Sequence, residues 1–437
     1  MRTPHLNMQI FKERRARLAS LIPNAAVILA AHPEQIRNHD VHQQYRQDTN
    51  MYYLTGFEEP ESIFVFRPGR KPETVMFNRV RDVERETWDG FRYGPEGVVR
   101  HFGVEAAYPI SEFESICSEL LLDVDKVYYT LFKDAKIDAR MATTLKMSQG
   151  KRRRSGRGIL PIYDSYQLIG EMRIRKSDHE AETLKRACQI SAEAHVEVMK
   201  AVRPGMNERA LHGIFLKEIM TRGAAREGYG TIVAGGAAAT TLHYVFNDQV
   251  LKDGELLLID AGAEFEYYTG DITRTYPISG KFNPTQRRLY GRVLELQKHL
   301  CKKVQPGLPM TELQEITIDG LIEIMMEESL LKGSRGEIRE TQAFKKYYPH
   351  GVSHLLGSDV HDAGMIEVNG QSRVLEPGMA ITIEPGFYIP ADDAAAPAEL
   401  RGIGIRIEDD VLVTADGADV MTSGAPKEIA DLEALRS

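Results

Sequence analysis

The chain has 437 residues, which is more than one hydrophobic core usually fills, so two domains are expected. Its composition is that of a soluble globular protein, and its formal net charge of -8 argues against nucleic acid or an anionic membrane as an obligatory partner, because both require a basic surface. The three cysteines, Cys117, Cys188 and Cys301, are far apart and lack metal-type spacing, which favours a reduced, cytoplasmic protein. The N-terminal residues predict neither a signal peptide nor a membrane span.

The first part of the chain alternates strand-like and helix-like segments, which predicts an N-terminal α/β domain over residues 1–170. The segments with the composition of strands include 25–31, 62–66 and 126–131. Ser111 followed by Glu114 has the pattern of a capping box, and it predicts the start of a helix.

A basic stretch, 147–158, comes near the end of this domain and contains Lys151, three arginines at 152–154 and Arg157. Because it also contains Ser and Gly, we interpret it as an exposed, solvated connection near a domain boundary. A role in binding nucleic acid is the alternative for this stretch.

The second domain, 171–437, is predicted to consist of two related halves. Ser177 and Glu180 form a capping box that opens a helix, and the Pro-Gly pair of Val202-Arg-Pro-Gly205 ends it. That segment is echoed about a hundred residues later by Val304-Gln-Pro-Gly307. The repetition predicts a duplicated helix-helix-sheet unit.

A second echo joins Leu251-Lys-Asp-Gly-Glu-Leu-Leu-Leu-Ile-Asp-Ala-Gly262 to Leu375-Glu-Pro-Gly-Met-Ala-Ile-Thr-Ile-Glu-Pro-Gly386. In each copy a turn marked by Gly leads into an apolar strand that ends on a carboxylate. Asp260 and Glu384 are therefore predicted at equivalent strand ends of the two halves.

Each of these carboxylates is followed by an alternating segment of β type that contains a second acidic residue. After Asp260, a turn predicted at 264–266 leads to Asp271, which can then lie beside Asp260 in a hairpin. After Glu384, the next alternating segment offers Glu408 as the partner. Four converging carboxylates repel one another strongly unless cations neutralise them, and the sensible cations are divalent metals.

A histidine-rich segment, His350-Gly-Val-Ser-His-Leu-Leu-Gly-Ser-Asp-Val-His-Asp362, precedes the second copy and supplies nitrogen ligands and proton-transfer groups. Four carboxylates with one imidazole make an oxygen-rich site, which suits Mn²⁺ and also accepts Zn²⁺, Co²⁺ or Fe²⁺. Bridging carboxylates would hold two ions roughly 3.5 to 4 Å apart, a spacing used in hydrolysis.

Together these residues resemble the pita-bread metallopeptidases, and within them most closely the Xaa-Pro aminopeptidases, over nearly the whole chain. The segments similar to that family are Tyr45-Arg-Gln47, Tyr53-Leu-Thr-Gly-Phe57, Glu59-Pro-Glu61 and Arg401-Gly-Ile-Gly-Ile-Arg-Ile-Glu-Asp-Asp410. The resemblance implies an α/β (α+β) fold, in which an N-terminal α/β domain precedes a pita-bread catalytic domain with pseudo-two-fold halves.

The resemblance also implies a set of five metal ligands, in which Asp271 and Glu408 bridge two ions. The five are Asp260, Asp271, His354, Glu384 and Glu408. Glu384 looks in addition like the proton acceptor for a water that lies between the metals.

Substrate contacts follow from the same resemblance. His243 and His361 are implied to flank the scissile bond as hydrogen-bonding and proton-transfer groups. His350 and Arg406 look like the wall of a pocket for the proline that follows that bond. Tyr388 and Arg406 are similar to a network that orients a metal ligand.

Asp40 resembles a residue of the first domain that lies near the free amine of the substrate. Trp88 aligns with a residue that a neighbouring subunit contributes in tetrameric members, so the resemblance implies a homo-oligomer, either dimer or tetramer. Two positions depart from the family pattern: Ala238 stands where members often carry a polar residue, and Ser358 replaces a common apolar one. Neither is a ligand, so they bear on substrate range rather than on chemistry.

The leading hypothesis is a two-metal aminopeptidase that hydrolyses the bond between any N-terminal residue and a following proline in peptides. The imide before proline lacks an N–H and its ring stiffens the chain, so a general exopeptidase fits it poorly. A prolidase restricted to Xaa-Pro dipeptides is the alternative enzyme. A metal-free pita-bread module that binds peptides or histones is the alternative from another class, and the presence of all five ligands argues against it.

Overall fold

The computed structural model describes residues 7–153, 156 and 158–436. The chain divides into two compact units between Met172 and Arg173. Among the described helices, none combines the length and the apolar character that crossing a bilayer requires.

The first unit contains a mixed sheet and several helices. Its strands are β1 (Ala25–Ala30), β2 (Ile36–Asn38), β3 (Val41–His42), β4 (Ile63–Phe66), β5 (Thr74–Asn78), β6 (Ala106–Pro109), β7 (Lys126–Tyr128) and β8 (Ile162–Tyr163). Its helices are α1 (Met8–Leu21), α2 (Thr49–Thr55), α3 (Val83–Asp89), α4 (Gly94–Phe102), α5 (Phe113–Leu120), α6 (Ala135–Arg152) and α7 (Ser165–Arg173). The last residue of α7, Arg173, is the first residue of the second unit.

The main sheet of this unit has the strand order β6-β5-β4-β1-β7-β8. Strand β1 pairs antiparallel with β4 and parallel with β7. Because successive side chains of a strand point to opposite faces, Val27 and Leu29 pack into one hydrophobic core while Ala26 and Ile28 pack into another. Helices therefore cover both faces of the sheet, and all three strands predicted from composition belong to it.

Two local predictions for the first unit are wrong. Helix α5 begins at Phe113 after a short 3₁₀ turn rather than at Ser111, and its first turn has no side-chain cap in the described residues. Lys151 and Arg152 are not in a loop but end α6, and Arg152 is only 5% exposed. Arg154 and Arg157 lie outside the described residues.

Arg152 is buried because it satisfies carbonyl groups that no helix partner reaches. Its Nη1 donates to the carbonyl oxygens of Leu121, Leu122 and Val124 at 3.0, 3.2 and 2.7 Å. These carbonyls follow the C-terminus of α5, where backbone acceptors lack intrahelical donors. A cluster of positive charge in the sequence does not reveal such a long-range role.

The second unit contains two sets of helices and strands. Its helices are α8 (Asp178–Ala201), α9 (Glu208–Thr221), α10 (Pro284–Lys303), α11 (Met310–Glu327), α12 (Arg335–Glu340) and α13 (Ile429–Ala434). Its strands are β9 (Arg226–Glu227), β10 (Ile232–Gly235), β11 (Leu256–Asp260), β12 (Ala263–Phe265), β13 (Tyr268–Thr269), β14 (Thr273–Pro277), β15 (Glu367–Val368), β16 (Gln371–Ser372), β17 (Ala380–Ile383), β18 (Gly386–Tyr388), β19 (Gly404–Arg406), β20 (Asp409–Val413) and β21 (Ala418–Val420).

The two halves repeat the same order, with two long helices followed by a three-stranded sheet. The first sheet has the order β10-β11-β14 and the second the order β17-β20-β21. In the first, Asp260 lies opposite Thr273; in the second, Ile383 lies opposite Asp409. The predicted capping box of Ser177 is confirmed at the start of α8.

Alternation along β11 decides which side chains reach the functional site. Leu257 and Ile259 face the large hydrophobic core beneath the helices. Leu258 faces the other side, where it packs with Tyr388. Because residues two apart share a face of a strand, Asp260 lies on the side of Leu258, away from the helices.

The hairpin after β11 differs in register from the prediction. The turn residues are Glu266 and Tyr267, with φ of 48° and 67°, rather than the three residues from 264. Asp271 consequently lies in the link between β13 and β14, not within a paired strand. A Cβ at Gly262 would lie 1.7 Å from the Gly270 carbonyl oxygen, so only glycine permits the close approach that brings this link towards Asp260.

Candidate metal centre and active site

The second unit contains a cavity of about 510 Å³. Every predicted metal ligand lines it, and so do His243, His350, His361 and Arg406. The complete lining is Tyr229, Gly230, Ile232, Leu242, His243, Val245, Asp260, Asp271, His350, Gly351, Ser353, His354, Val360, His361, Glu384, Arg406 and Glu408. The sequence thus predicted most of the polar groups that converge here.

One end of the cavity holds the carboxylates and an imidazole. Possible ligand atoms of Asp271, His354 and Glu408 all lie within 4.8 Å of one another. His354 Nε2 is 3.4 Å from Asp271 Oδ2 and 3.6 Å from Glu384 Oε1. The Nδ1 of the same ring lies 3.1 Å from the carbonyl oxygen of Leu355, which orients Nε2 into the cluster.

Arg406 connects the two halves of the carboxylate cluster. Its Nη2 donates to Asp260 Oδ2 at 2.5 Å, and its Nη1 donates to the Tyr388 hydroxyl at 3.0 Å. Its Nε donates to Thr273 Oγ1 at 3.0 Å, and that hydroxyl donates to Glu408 Oε2 at 2.6 Å. The guanidinium therefore orients one carboxylate from each half, directly for Asp260 and through Thr273 for Glu408.

Several groups around the cluster were not predicted from the sequence. The Tyr229 hydroxyl lies 2.6 Å from Asp260 Oδ1 and 2.5 Å from Asp271 Oδ1, so it donates its proton to one or the other. Asp410 Oδ2 accepts from the backbone N–H of Asp271 at 2.8 Å and from the Cys188 thiol at 3.1 Å. Each of these contacts joins residues that are at least 31 positions apart in the sequence, so no local sequence pattern predicts it.

The electrostatics of the cluster indicate a site built for cations. Burial, reinforced by neighbouring carboxylates, raises the pKa of Glu384 to about 7 and raises that of Glu408 well above its usual value. Burial also raises the pKa of Asp271. Burial alone would lower the pKa of His354, but Asp271 and Glu384 raise it to about 9. Carboxylate oxygens with one imidazole and no thiolate fit divalent metal ions, which relieve this repulsion.

These raised pKa values predict how the stability of metal-free protein depends on pH. Folded Glu384 stays protonated up to about pH 7, whereas the unfolded group loses its proton near 4.5, so the folded state binds more protons between those values. His354 contributes in the same direction, because its pKa is about 9 in the folded state and 6.5 in the unfolded state. The folded state therefore binds more protons in this range as well. The unfolding free energy should therefore fall as pH rises from about 4.5 to 9, by on the order of 3 kcal/mol for Glu384.

Thermal unfolding of chelator-treated protein from pH 5 to 8 measures this dependence. Added Mn²⁺ should flatten the slope, because bound cations keep the carboxylates ionised. The Glu384→Gln variant is the control, since its side chain cannot titrate, and its metal-free slope should be smaller. Equal slopes for the variant and the natural chain would contradict the prediction.

A second wall of the cavity is formed around His350. Its Nε2 lies 2.8 Å from the Tyr388 hydroxyl, its Nδ1 lies 2.7 Å from the Gly351 carbonyl oxygen, and its ring packs edge-on against Tyr348 at 4.8 Å. Burial, together with the charge of Arg406, lowers the pKa of His350 to about 4. The imidazole is therefore neutral at physiological pH and presents an uncharged, aromatic surface.

The remaining predicted residues lie at more exposed positions. His243 and His361 are exposed residues of the cavity lining, and the His361 ring packs at 84° against that of His354, with centroids 4.5 Å apart. Asp40 lies in the exposed turn between β2 and β3, in the first unit. Trp88 lies on α3 of the first unit and is 82% exposed. The roles assigned to these four residues stay predictions.

Comparison with known proteins agrees with this geometry. Residues 182–415 match metallopeptidase family M24, and residues 11–128 match the aminopeptidase P N-terminal domain. The Xaa-Pro aminopeptidase of Haemophilus influenzae is 38% identical over 427 residues, which cover 97% of this chain and 96% of that relative. Aminopeptidase PepP of Pseudomonas aeruginosa matches with a TM-score of 0.94 at 40% identity, over 98% of both chains. Zinc-substituted aminopeptidase P of Escherichia coli, solved with product, matches with a TM-score of 0.93 at 37% identity, over 99% of this chain and 98% of that one.

The fold and the site thus define a metal-dependent hydrolase of peptide bonds. The chain belongs to metallopeptidase family M24, in which its catalytic region is preceded by the N-terminal domain of aminopeptidase P. The predicted fold class and the predicted enzyme class are both confirmed by these matches.

Proposed function

We propose that this protein removes the N-terminal residue from peptides whose second residue is proline. The observation that supports this substrate is the neutral wall of His350 beside the carboxylate cluster, since His350 Nδ1 lies only 3.7 Å from Glu384 Oε2. An uncharged imidazole flanked by Tyr348 and Tyr388 offers an aromatic surface for a pyrrolidine ring. The Haemophilus influenzae relative named above is a Xaa-Pro aminopeptidase, in agreement with this proposal.

The cofactor that we propose is a pair of divalent ions, with Mn²⁺ as the best match to an oxygen-rich donor set. The residues that would hold the pair are Asp260, Asp271, His354, Glu384 and Glu408. Such ions polarise a scissile carbonyl and lower the pKa of water, which is the chemistry that peptide hydrolysis requires.

The protein groups around the cluster supply proton transfer and orientation. The Glu384 side chain is 15% exposed and lies next to the proposed proline wall, so we assign it to take the proton of the attacking water and return it to the departing proline nitrogen. His243 and His361, as exposed members of the lining, are assigned to hydrogen-bond the substrate carbonyls on either side of the bond. Arg406 donates hydrogen bonds to Asp260 and to Tyr388. These bonds hold a proposed metal ligand and a tyrosine of the proposed proline wall in fixed positions.

Peptide hydrolysis tests the substrate directly. A Xaa-Pro-Xaa tripeptide should be cleaved after its first residue, and the same peptide with alanine in second place should show a kcat/KM roughly 100-fold lower, because it lacks the ring that fills the pocket. Chelator-treated protein should be inactive, and Mn²⁺ should restore turnover. Liberated N-terminal residue measured by chromatography gives the rates.

Two controls separate the proposal from its rivals. Strict preference for the Xaa-Pro dipeptide over the tripeptide would contradict it and would identify a prolidase. Absence of any turnover, with no divalent ion retained after mild chelation, would identify a peptide-binding module. Metal analysis of the active protein should find two ions per chain.

We propose in addition that the protein is a homo-oligomer, either dimer or tetramer. Helix α3 has no buried residue in the described chain, and it exposes Val83 by 77% and Trp88 by 82%. Large apolar side chains of this kind are stabilised when a second copy covers them. Light scattering of the purified chain measures its mass, and a monomer at micromolar concentration would contradict this assignment.

A cytoplasmic location is the compartment that we propose. Cys117, Cys188 and Cys301 are all buried and unpaired, in agreement with a reducing environment. Fractionation of the source cells tests the location, and recovery from an oxidising compartment would contradict it.

A further inference from the structure

A buried ion network lies beneath the loop that contains His361. The side chains of Arg173, Lys176 and Asp362 are 2%, 1% and 1% exposed. Lys176 Nζ donates to Asp362 Oδ2 at 3.1 Å, and Arg173 Nη2 donates to Asp362 Oδ1. Arg173 also donates to Asp359 Oδ2 at 2.6 Å, where the Asp359 side chain is 31% exposed.

The loop itself has little regular structure to hold it. Residues 356–363 form neither helix nor strand. Backbone bonds fix its two ends: the N–H of Thr269 donates to the Gly357 carbonyl at 3.0 Å, and that of Asp362 donates to the Leu355 carbonyl at 2.9 Å. His361 is an exposed residue between these ends, and its imidazole packs edge-on against that of His354, with centroids 4.5 Å apart. The position of its backbone depends on how the loop is held at the buried residue next to it.

Asp362 is that residue, and its carboxylate is closely packed by the surrounding atoms. A Cβ at Gly357 would lie 2.2 Å from Asp362 Oδ2, so the loop closes over the carboxylate only because position 357 has no side chain. Two cations and two carboxylates balance in the network. Displacing the loop would leave buried charges unpaired, which is strongly unfavourable in a dry environment.

We propose that Asp362, held by Arg173 and Lys176, is a positioning residue that fixes the imidazole of His361 against the substrate. This inference rests on the proposed function, in which His361 contacts the substrate. Asp362 itself acts through the loop and touches no reacting atom. The network therefore links the start of the second unit to the geometry of catalysis.

The test compares Asp362→Asn with Asp416→Asn, which makes the same substitution in the same unit at an exposed turn outside the network. In Asp362→Asn, kcat for a Xaa-Pro-Xaa tripeptide should fall about 10- to 100-fold, because small displacements of a reacting group are costly. KM, the number of bound metal ions and the hydrogen exchange of amides outside the loop should stay unchanged. Exchange of the amides of 356–363 should become faster. Asp416→Asn should stay within about two-fold of the wild-type kcat.

Different results overturn different claims. A folded Asp362→Asn protein with wild-type kcat would overturn the positioning role. A decrease in kcat that is proportional to a loss of bound metal would overturn it as well. If Asp362→Asn does not fold, Lys176→Met is tested instead, since it leaves the contact between Asp362 and Arg173 in place. Wild-type amide exchange in the loop together with wild-type kcat in that variant would also overturn the positioning role. A His361→Gln variant with natural kcat would instead overturn the role of His361 in the proposed function, whatever the loop exchange shows.

Discussion

Replacing Glu384 by glutamine is expected to lower kcat for a Xaa-Pro-Xaa tripeptide by about 10³-fold or more, while the fold is retained. Glutamine has almost the same shape, but it cannot accept the proton of the attacking water, and general acid–base groups contribute roughly 10²- to 10⁴-fold. The fold should persist because an ionised Glu384 is repelled by the neighbouring carboxylates, and burial already raises its pKa to about 7. An uncharged side chain of the same shape is therefore tolerated at this position. Initial rates at saturating Mn²⁺, with circular dichroism and thermal unfolding, measure both parts.

The matched control is Glu399→Gln, which makes the same substitution at an exposed position of the same unit and should leave kcat unchanged. Metal analysis of Glu384→Gln then separates two origins of the loss. If both ions remain bound, the lost rate reports proton transfer; if one ion is lost, it reports ligation. Natural turnover in Glu384→Gln would contradict the assignment of this residue altogether.

The parts of the site that the sequence revealed are those with a local or repeated pattern. Asp260 and Glu384 each end an apolar strand after a turn marked by Gly, and this pattern occurs twice. Strand β11 ends on Asp260 as predicted, and β17 ends one residue before Glu384, because an apolar run and its flanking turns act over a few neighbours. The capping box of Ser177 is equally local, since both of its hydrogen bonds lie within four residues.

The parts that the sequence did not reveal depend on contacts between distant segments. Tyr229 meets Asp260 across 31 residues, and Asp410 meets the backbone of Asp271 across 139. Their partners are chosen by the packing of one half against the other, which no window of sequence contains. The prediction of the hairpin register was wrong for a related reason. Glu266 and Tyr267 adopt positive φ, a conformation that their side chains do not favour and that the surrounding sheet imposes.

The largest effect on stability is expected at Arg274, which joins the two halves behind the metal centre. It lies on β14 of the first half and is fully buried. Its Nη2 donates to Asp409 Oδ1 at 2.7 Å and to the Ala425 carbonyl at 2.8 Å, while its Nη1 donates to the Glu408 carbonyl at 2.5 Å. One guanidinium thus satisfies a carboxylate and backbone oxygens that flank a proposed metal ligand.

Replacing Arg274 by methionine should lower the unfolding free energy by about 3–5 kcal/mol, because it leaves the fully buried carboxylate of Asp409 with one fewer cation. Arg274→Lys keeps the charge but cannot reach the carbonyls at the same time, so its loss should be intermediate. Arg288→Met is the control: Arg288 is half exposed and paired with Glu328, and such surface pairs contribute about 0–1 kcal/mol. Urea unfolding of the three variants measures the differences. Equal losses in Arg274→Met and Arg288→Met would show that the buried pair does not hold the halves together. The expected order would show that a single arginine of the first half stabilises the link between β19 and β20 that contains Glu408.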